Sequence, residues 1–332
     1  MTRFRRTLPQ GRTEEDTQED ACRRTSGAIG SHYARTVPLH RDEFSIDPDL
    51  VRSLLTQQFP HWADLPLTQL RTAGTVNLMF RLGEDKVVRL PRTKDFADGP
   101  RREAMCLPRF ADRLPLQVPR FLALGEPMED YPSHWSILDW IEGTTADSAS
   151  LPNLDEAAIA LAAFVLALRR IPIDGAPRDG SYRAFGLAKV DPGMQRWAAD
   201  LPDDIDRTSV LRVWDRCLAL GERGGPPTWL HSDLRGDNLI ARDGDLTAVI
   251  DWEGCTVGDP SADYLAAWWL FDAPSRDTFR SALEADPSDW MRAKGWALFM
   301  AVAAIPYYAD TNPAFVAQAR TAIAEVLADG SV

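Results

Sequence analysis

WLHSDLRGDNLI, residues 229–240, sets a His, an Arg, two Asp and an Asn between two apolar runs. Buried polar groups are costly unless paired. Such an island is either a solvated loop with turn chemistry or a loop that carries a reaction. The spacing downstream bears on the choice. Asp233 follows His231 by two residues, Asn238 follows Asp233 by five, and Asp251 follows Asn238 by thirteen, at the end of the apolar run TAVID. The amide and carboxylate oxygens of Asn238 and Asp251 suit a hard cation such as Mg2+. Asp243–Gly244 is a hairpin turn signal. Folding there would bring the two side chains together and set Asp233 beside them. Phosphoryl transfer asks for such a group: ions that bridge phosphates and a carboxylate that orients the attacking hydroxyl. Taken singly, each of these residues reads as a solvated loop residue or a cap. An unpaired carboxylate ending an apolar strand is costly, however, and a metal at Asp251 resolves that cost.

The chain around this stretch divides in two. Leu50, Leu54 and Leu55 recur at helical spacing after the start signal Asp47–Pro48. Residues 67–92 then carry two or three short strands, with turns at Gly74 and at 83–85. A helix is expected over about 99–113, broken or kinked by Pro108. FLALGEP and HWSILDWIEG read as two more strands. After Gly143 the pattern turns helical. A helix is expected over 155–170, a Pro/Gly-rich loop over about 171–193 and a helix over about 203–222. A loop, strand, turn and strand follow over residues 228–254, and everything after Asp259 reads as helix, with Asp259 as N-cap and Pro260 at the first helical position. The expected organisation is a polar, disordered tail over 1–40, an N-terminal nucleotide-binding lobe over 41–142 with a hinge near 138–143, and a helical C-terminal lobe over 143–332. The cleft between the lobes is the expected ligand site.

Composition narrows the function classes. With 49 acidic and 37 basic residues the formal charge is −12, which argues against nucleic-acid binding. Cys22, Cys106, Cys217 and Cys255 are widely spaced, so no zinc pair is expected and free thiols in a reducing compartment are. The most apolar run, AAIALAAFVLAL at 157–168, is too short to span a bilayer. MTRFRRTLPQ lacks the apolar stretch of a secretory signal. A cytoplasmic protein without membrane or nucleic-acid partners is expected. Oligomeric state is not legible.

HSDLRGDNLI followed by AVIDWEGCTVGDPSADYLAAWWLF resembles the aminoglycoside phosphotransferase family, which shares the protein-kinase fold. The family pattern runs H-G-D-L-x-x-x-N, then I-D-[WF]-x, then G-D-P-x-x-D-L. GTVNLMFRLGEDKVVRLPR, residues 74–92, resembles the phosphate loop and third strand of its antibiotic-kinase members. The resemblance covers about residues 45–328. It implies an α+β, protein-kinase-like two-lobe fold, with a small N-terminal sheet lobe and a larger, mostly helical C-terminal lobe. By position it implies Asp233 as the catalytic carboxylate and Asn238 and Asp251 as Mg2+ ligands. Arg89 would contact the nucleotide phosphates and Glu103 would pair with it. Backbone groups of Asp139 and Ile141 would hold the base edge, and Gly74, Thr75 and Asn77 would lie over the phosphates, where a turn offers N–H donors to anions. His231 and Asp263 would brace the catalytic loop.

Three departures stand out. Ser232 replaces the usual Gly, which is tolerable if the backbone there stays in an ordinary region. Arg89 replaces Lys, exchanging a point charge for a planar fork. The phosphate loop has one Gly rather than G-x-G-x-x-G. The implied activity is an Mg2+-dependent kinase moving the terminal phosphate of ATP or GTP to a hydroxyl of an antibiotic-like acceptor: an aminoglycoside, a macrolide or a nucleoside-like compound. Kept beside it are a metabolic kinase for a sugar or amino-alcohol, a catalytically silent nucleotide-binding module and a metal-dependent hydrolase. Trp268, Trp269, Trp296, Tyr307 and Tyr308 read as core by default, with some available to line an acceptor pocket.

Overall fold

The structure, a computed structural model, describes residues 42–70, 76–147, 149–177 and 182–330. The expected tail, 1–40, lies outside these residues, as do Gly74 and Thr75.

Helix α1 (Pro48–Gln58) starts as its sequence directs. Asp47 accepts the N–H of Leu50 at 2.8 Å, and Pro48 fills the first turn. Strands β1 (Leu67–Gln69), β2 (Asn77–Leu82), β3 (Lys86–Pro91), β4 (Phe121–Gly125) and β5 (Trp135–Asp139) form an antiparallel sheet in the order β1-β2-β3-β5-β4. Alternation along β3 sorts its side chains. Val88 and Leu90 pack with Val51, Leu54 and Leu55 of α1, while Val87 joins the core beneath α2 (Gly99–Phe110). Arg89 shares the parity of Val87 and so points to the α2 side. There Glu103, Cys106, Leu107 and Phe110 form one buried seam at i, i+3, i+4 and i+7.

The second half is mostly helical, as the fold class expected from the sequence requires. Helices α3 (Leu154–Arg169), α4 (Asp191–Ala199), α5 (Arg207–Leu218), α6 (Ala266–Trp269), α7 (Ala273–Ala282), α8 (Pro287–Tyr307) and α9 (Pro313–Ala328) surround two small ladders. One pairs β7 (Thr228–Leu230) with β10 (Thr256–Gly258). The other joins β6 (Thr144–Thr145), β8 (Leu239–Arg242) and β9 (Asp245–Val249). Helix α8 is apolar almost all round and is buried accordingly. The β8–β9 hairpin closes through Asp243 (φ 56°) and Gly244 (φ 93°), both left-handed, as a two-residue primed turn requires.

Local expectations are corrected in three places. Helix α2 runs through Pro108 to Phe110, because the hydrogen bond lost at Pro108 falls in the last turn. Helix α4 begins inside the expected loop; Asp191–Pro192 starts it, and only Met194 and Ala198 among its residues are buried, which leaves a faint periodic signal. TWL, expected as loop, is strand β7, held by non-local pairing with β10. Among the described residues no helix is long and apolar enough to cross a membrane.

Candidate active site

Strand β7 delivers the polar stretch to its place. The N–H groups of His231 and Ser232 donate to the two carboxylate oxygens of Asp263, at 2.9 and 2.6 Å. Asp263 follows Asp259, whose side chain accepts the N–H of Ser261 at 2.9 Å. His231 bonds Ile250 O through Nε2 at 2.8 Å and accepts the N–H of Asp233 on Nδ1 at 3.2 Å. Its ring meets that of Trp252 edge-on at 4.7 Å. His231 therefore braces the loop, and both of its ring nitrogens are engaged.

Ser232 does not meet the condition of an ordinary backbone. Its φ is 71°, in the left-handed region that favours glycine. Two bonds hold it there: its N–H to Asp263, and its Oγ to the carbonyl of Gly254 at 3.0 Å. Asp251 also lies in the left-handed region, with φ 66°. Strain of this kind gathers at functional sites.

Asp233 is half-enclosed, with its side chain 21% exposed. Oδ1 accepts Nε of Arg235 at 3.0 Å and faces Nη1 of Arg183 at 3.2 Å. Oδ2 accepts Nη2 of Arg235 at 3.2 Å and Nδ2 of Asn238 at 2.9 Å. Burial pushes this carboxyl up, but the charges of Arg235 and Arg183 outweigh it and hold Asp233 well below the usual carboxylate range. Asn238 also donates to the backbone carbonyl of Asp233 at 2.9 Å. The amide nitrogen is thus spent, and its oxygen is the atom left for a cation. The backbone carbonyl of Asn238 accepts the N–H of Ile250 at 2.9 Å, so the hairpin brings Asn238 beside the residue preceding Asp251.

Arg89 lies among three carboxylates. It pairs with Glu103, with Asp251 at 2.6 Å and with Glu253 at 3.5 Å. Glu103, Asp251 and Glu253 each place an oxygen within 4.8 Å of the others. Ser136, which faces Arg89 across the β3–β5 ladder, donates to Glu103 at 3.2 Å. Burial would lower Arg89, but the carboxylates outweigh it and keep the guanidinium charged. Burial raises Glu103, and it pushes Glu253 up to about 8 against the opposing charge of Arg89. Asn77, expected over the phosphates, gives Nδ2 to Glu253 at 2.8 Å, and its buried Oδ1 finds no donor among the described residues. Asp139 ends β5, where its N–H donates to Arg120 O and its carboxylate accepts the N–H of Arg120. Ile141 is buried against Ile240 and Ala248, next to Ile250.

Arg183, Arg235 and Glu253 are partners that sequence reasoning did not single out. Glu253 had a signal, two residues beyond Asp251 in a buried run. Arg183 had none, because it stands in an irregular segment far along the chain from Asp233.

A family profile described as the phosphotransferase enzyme family matches residues 68–296. No curated protein matches the chain at a significant level. Among solved structures, the GDP complex of wild-type aminoglycoside 2'-phosphotransferase-IIIa is similar with a TM-score of 0.68 at 18% identity, covering 85% of this chain and 99% of that one. The ADP-bound aminoglycoside phosphotransferase APH(2'')-Ib gives 0.57 at 18%, covering 85% and 97%. A thermostable mutant of APH(4)-Ia in ternary complex with ADP and hygromycin B gives 0.60 at 20%, covering 84% and 98%. At these identities the likeness concerns the fold.

Proposed function

Because the chain belongs to the phosphotransferase enzyme family, we propose that it moves the terminal phosphoryl group of ATP or GTP onto a hydroxyl of an antibiotic-like small molecule, as drug inactivation or self-protection. The observation that carries this reading is the meeting of Asp233, Asn238 and the Asp251–Arg89–Glu103 chain of contacts at one place. That solved neighbours hold GDP, ADP or hygromycin B supports it. Nucleotide binding is assigned to residues 41–142, with the hinge near 138–143 and the acceptor side in 143–332.

Each residue has a role in this reading. Asp233 takes or orients the proton of the acceptor hydroxyl. A carboxylate held below the usual range is ionised at neutral pH, as that role requires. The hydroxyl oxygen forms the new bond to the terminal phosphorus as the bond to the nucleoside diphosphate breaks. Asn238 and Asp251 offer hard oxygens, and the donor set fits Mg2+. Bound there, Mg2+ supplies positive charge to the phosphate oxygens. Arg89, fixed by Glu103, aims a second positive group at the phosphates. Asp139 and Ile141 present backbone groups to the base, and Gly74, Thr75 and Asn77 cover the phosphates. The acceptor lies toward α6 and α9, where Trp269, Phe315 and Tyr308 cluster.

The test is direct. Purified protein is incubated with Mg2+, ATP or GTP and a panel of antibiotics, sugars and amino-alcohols, and mass spectrometry identifies acceptors that gain one phosphoryl group. Asp233→Ala should cut turnover of any hit by about 10²–10⁴-fold while nucleotide still binds. Wild-type turnover in that variant would remove Asp233 from the chemistry. Hits confined to sugars or amino-alcohols would move the acceptor class to metabolites.

A further inference from the structure

Arg235 takes both oxygens of the Asp233 carboxylate. Such a group offers about four acceptor positions; Arg235 fills two of them, Asn238 a third, and Arg183 stands by as an ion-pair partner at 3.2 Å. An acceptor hydroxyl that hands its proton to Asp233 must come to an oxygen that already holds a donor. Three side chains are placed to make way. Asn238 is tied to Asp233 at two points, including the backbone carbonyl. Arg183 is half-buried and also bonded to the carbonyl of Ser232. Arg235 differs in where it reaches. Its guanidinium spans from Asp233 to Asp237, at 3.1 Å, and lies 4.6 Å from the ring centre of Phe315 on α9 and 5.8 Å from that of Trp269 on α6. It thus covers both the reacting carboxylate and the aromatic faces on the acceptor side.

Resting on the kinase reading above, we propose that Arg235 is a gate. In the free protein it holds the position on Asp233 that the acceptor hydroxyl needs, and the acceptor enters by displacing it from Trp269 and Phe315. The contacts it gives up are two aromatic faces and a carboxylate. They suit an acceptor with a ring face or an amino group beside the reacting hydroxyl. Water offers neither a ring face nor a charge in exchange for these contacts, so the gate also suppresses wasteful hydrolysis of the nucleotide. In that side reaction the water oxygen forms the bond to the terminal phosphorus. The bond to the diphosphate breaks with its electron pair, and the water proton leaves through Asp233 to solvent.

The experiment needs no knowledge of the acceptor. Wild type, Arg235→Ala, Arg235→Gln and the double variant Asp233→Ala/Arg235→Ala are incubated with Mg2+ and ATP or GTP alone. Phosphate release is measured, with nucleotide binding followed by calorimetry. Arg235→Ala should raise acceptor-independent hydrolysis by about tenfold or more, and the double variant should abolish the rise. If Arg235→Ala does not fold, Arg235→Gln, which cannot span both oxygens and Asp237, must show the rise instead. Nucleotide binding with hydrolysis at or below the wild-type rate in these single variants overturns the gate and leaves the kinase reading standing. A rise that survives loss of Asp233 also overturns it. Failure of the wild type to bind either nucleotide takes down the kinase reading, and the gate with it.

Discussion

Ser232 holds a left-handed backbone that glycine adopts without cost, and the cost is met by its neighbours. Its N–H and that of His231 both end on Asp263, which is fully buried. Asp263 is therefore the residue on which the loop's geometry depends, although it touches none of the reacting groups assigned above. Asp263→Ala leaves two buried N–H donors without acceptors, at about 1–3 kcal/mol each. Chemical denaturation should show a loss of about 2–6 kcal/mol, and turnover should fall at saturating nucleotide because Asp233 is no longer held. Unchanged stability would show that another acceptor takes over. The role of Asp263 was implied by the family resemblance that its G-D-P-x-x-D motif carries. The backbone of Ser232 was not, since a serine in sequence carries no mark of its φ, and only the bonds to Asp263 and Gly254 select it.

Between residue and fold, the loop that carries Asp233 is docked as an element. The N–H of Ala146, just past β6, donates to the carbonyl of Gly236 at 3.0 Å. A side-chain carbon added at Gly236 would lie 2.3 Å from the carbonyl oxygen of Ala146, so only glycine fits. The tripeptide RGD at 235–237 is explained by this approach: Arg235 and Asp237 turn to one another and Gly236 lets the backbone close on β6. Gly236→Ala should push the loop off β6 and destabilise the protein by about 1–3 kcal/mol, with a larger loss of turnover than of nucleotide affinity. Thermal denaturation and nucleotide titration together check this. An equal loss in both would mean that the loop also shapes the nucleotide site. The elements themselves were mostly readable, because α1, α2, β3 and the β8–β9 hairpin carry strong periodic and turn signals. Strand β7 and helix α4 were not, because three residues paired at a distance and a helix with two buried side chains leave little local pattern.

At the scale of the molecule, the sheet and the helical half are tied through one buried polar cluster. Asn77 and Arg89 reach Glu253 and Asp251 from the sheet, Arg102 of α2 bonds the carbonyl of Glu253, and Phe110 packs on Trp229 and Trp252. Glu253 carries a pH signature. Burial is the main reason its carboxyl rises to about 8; Arg89 opposes the rise, while Glu103 and Asp251 add to it. The folded chain then holds this proton more tightly than the unfolded chain. The stability it contributes is full below the ordinary carboxylate range and is lost as pH rises through about 8. The melting temperature should decline by a few degrees from about pH 5 to about pH 9. Glu253→Gln, neutral throughout and still able to accept from Asn77, should flatten that decline. Equal slopes in the two proteins would place the titration elsewhere.

The sequence by itself determined most of the order of elements, the fold class and the positions of Asp233, Asn238 and Asp251 along the chain. These depend on spacing along the chain, and spacing survives without coordinates. The tertiary structure decided what those positions touch. Parity along β3 sends Arg89 toward α2, and the seam of α2 presents Glu103 to it. The arrangement of Arg235, Arg183 and Asn238 around one carboxylate arises because the chain returns to that point from residues 183 and 235–238. Electrostatic character follows from distance in space, and residues far apart in sequence set it. No local pattern could have shown which cations gather on Asp233.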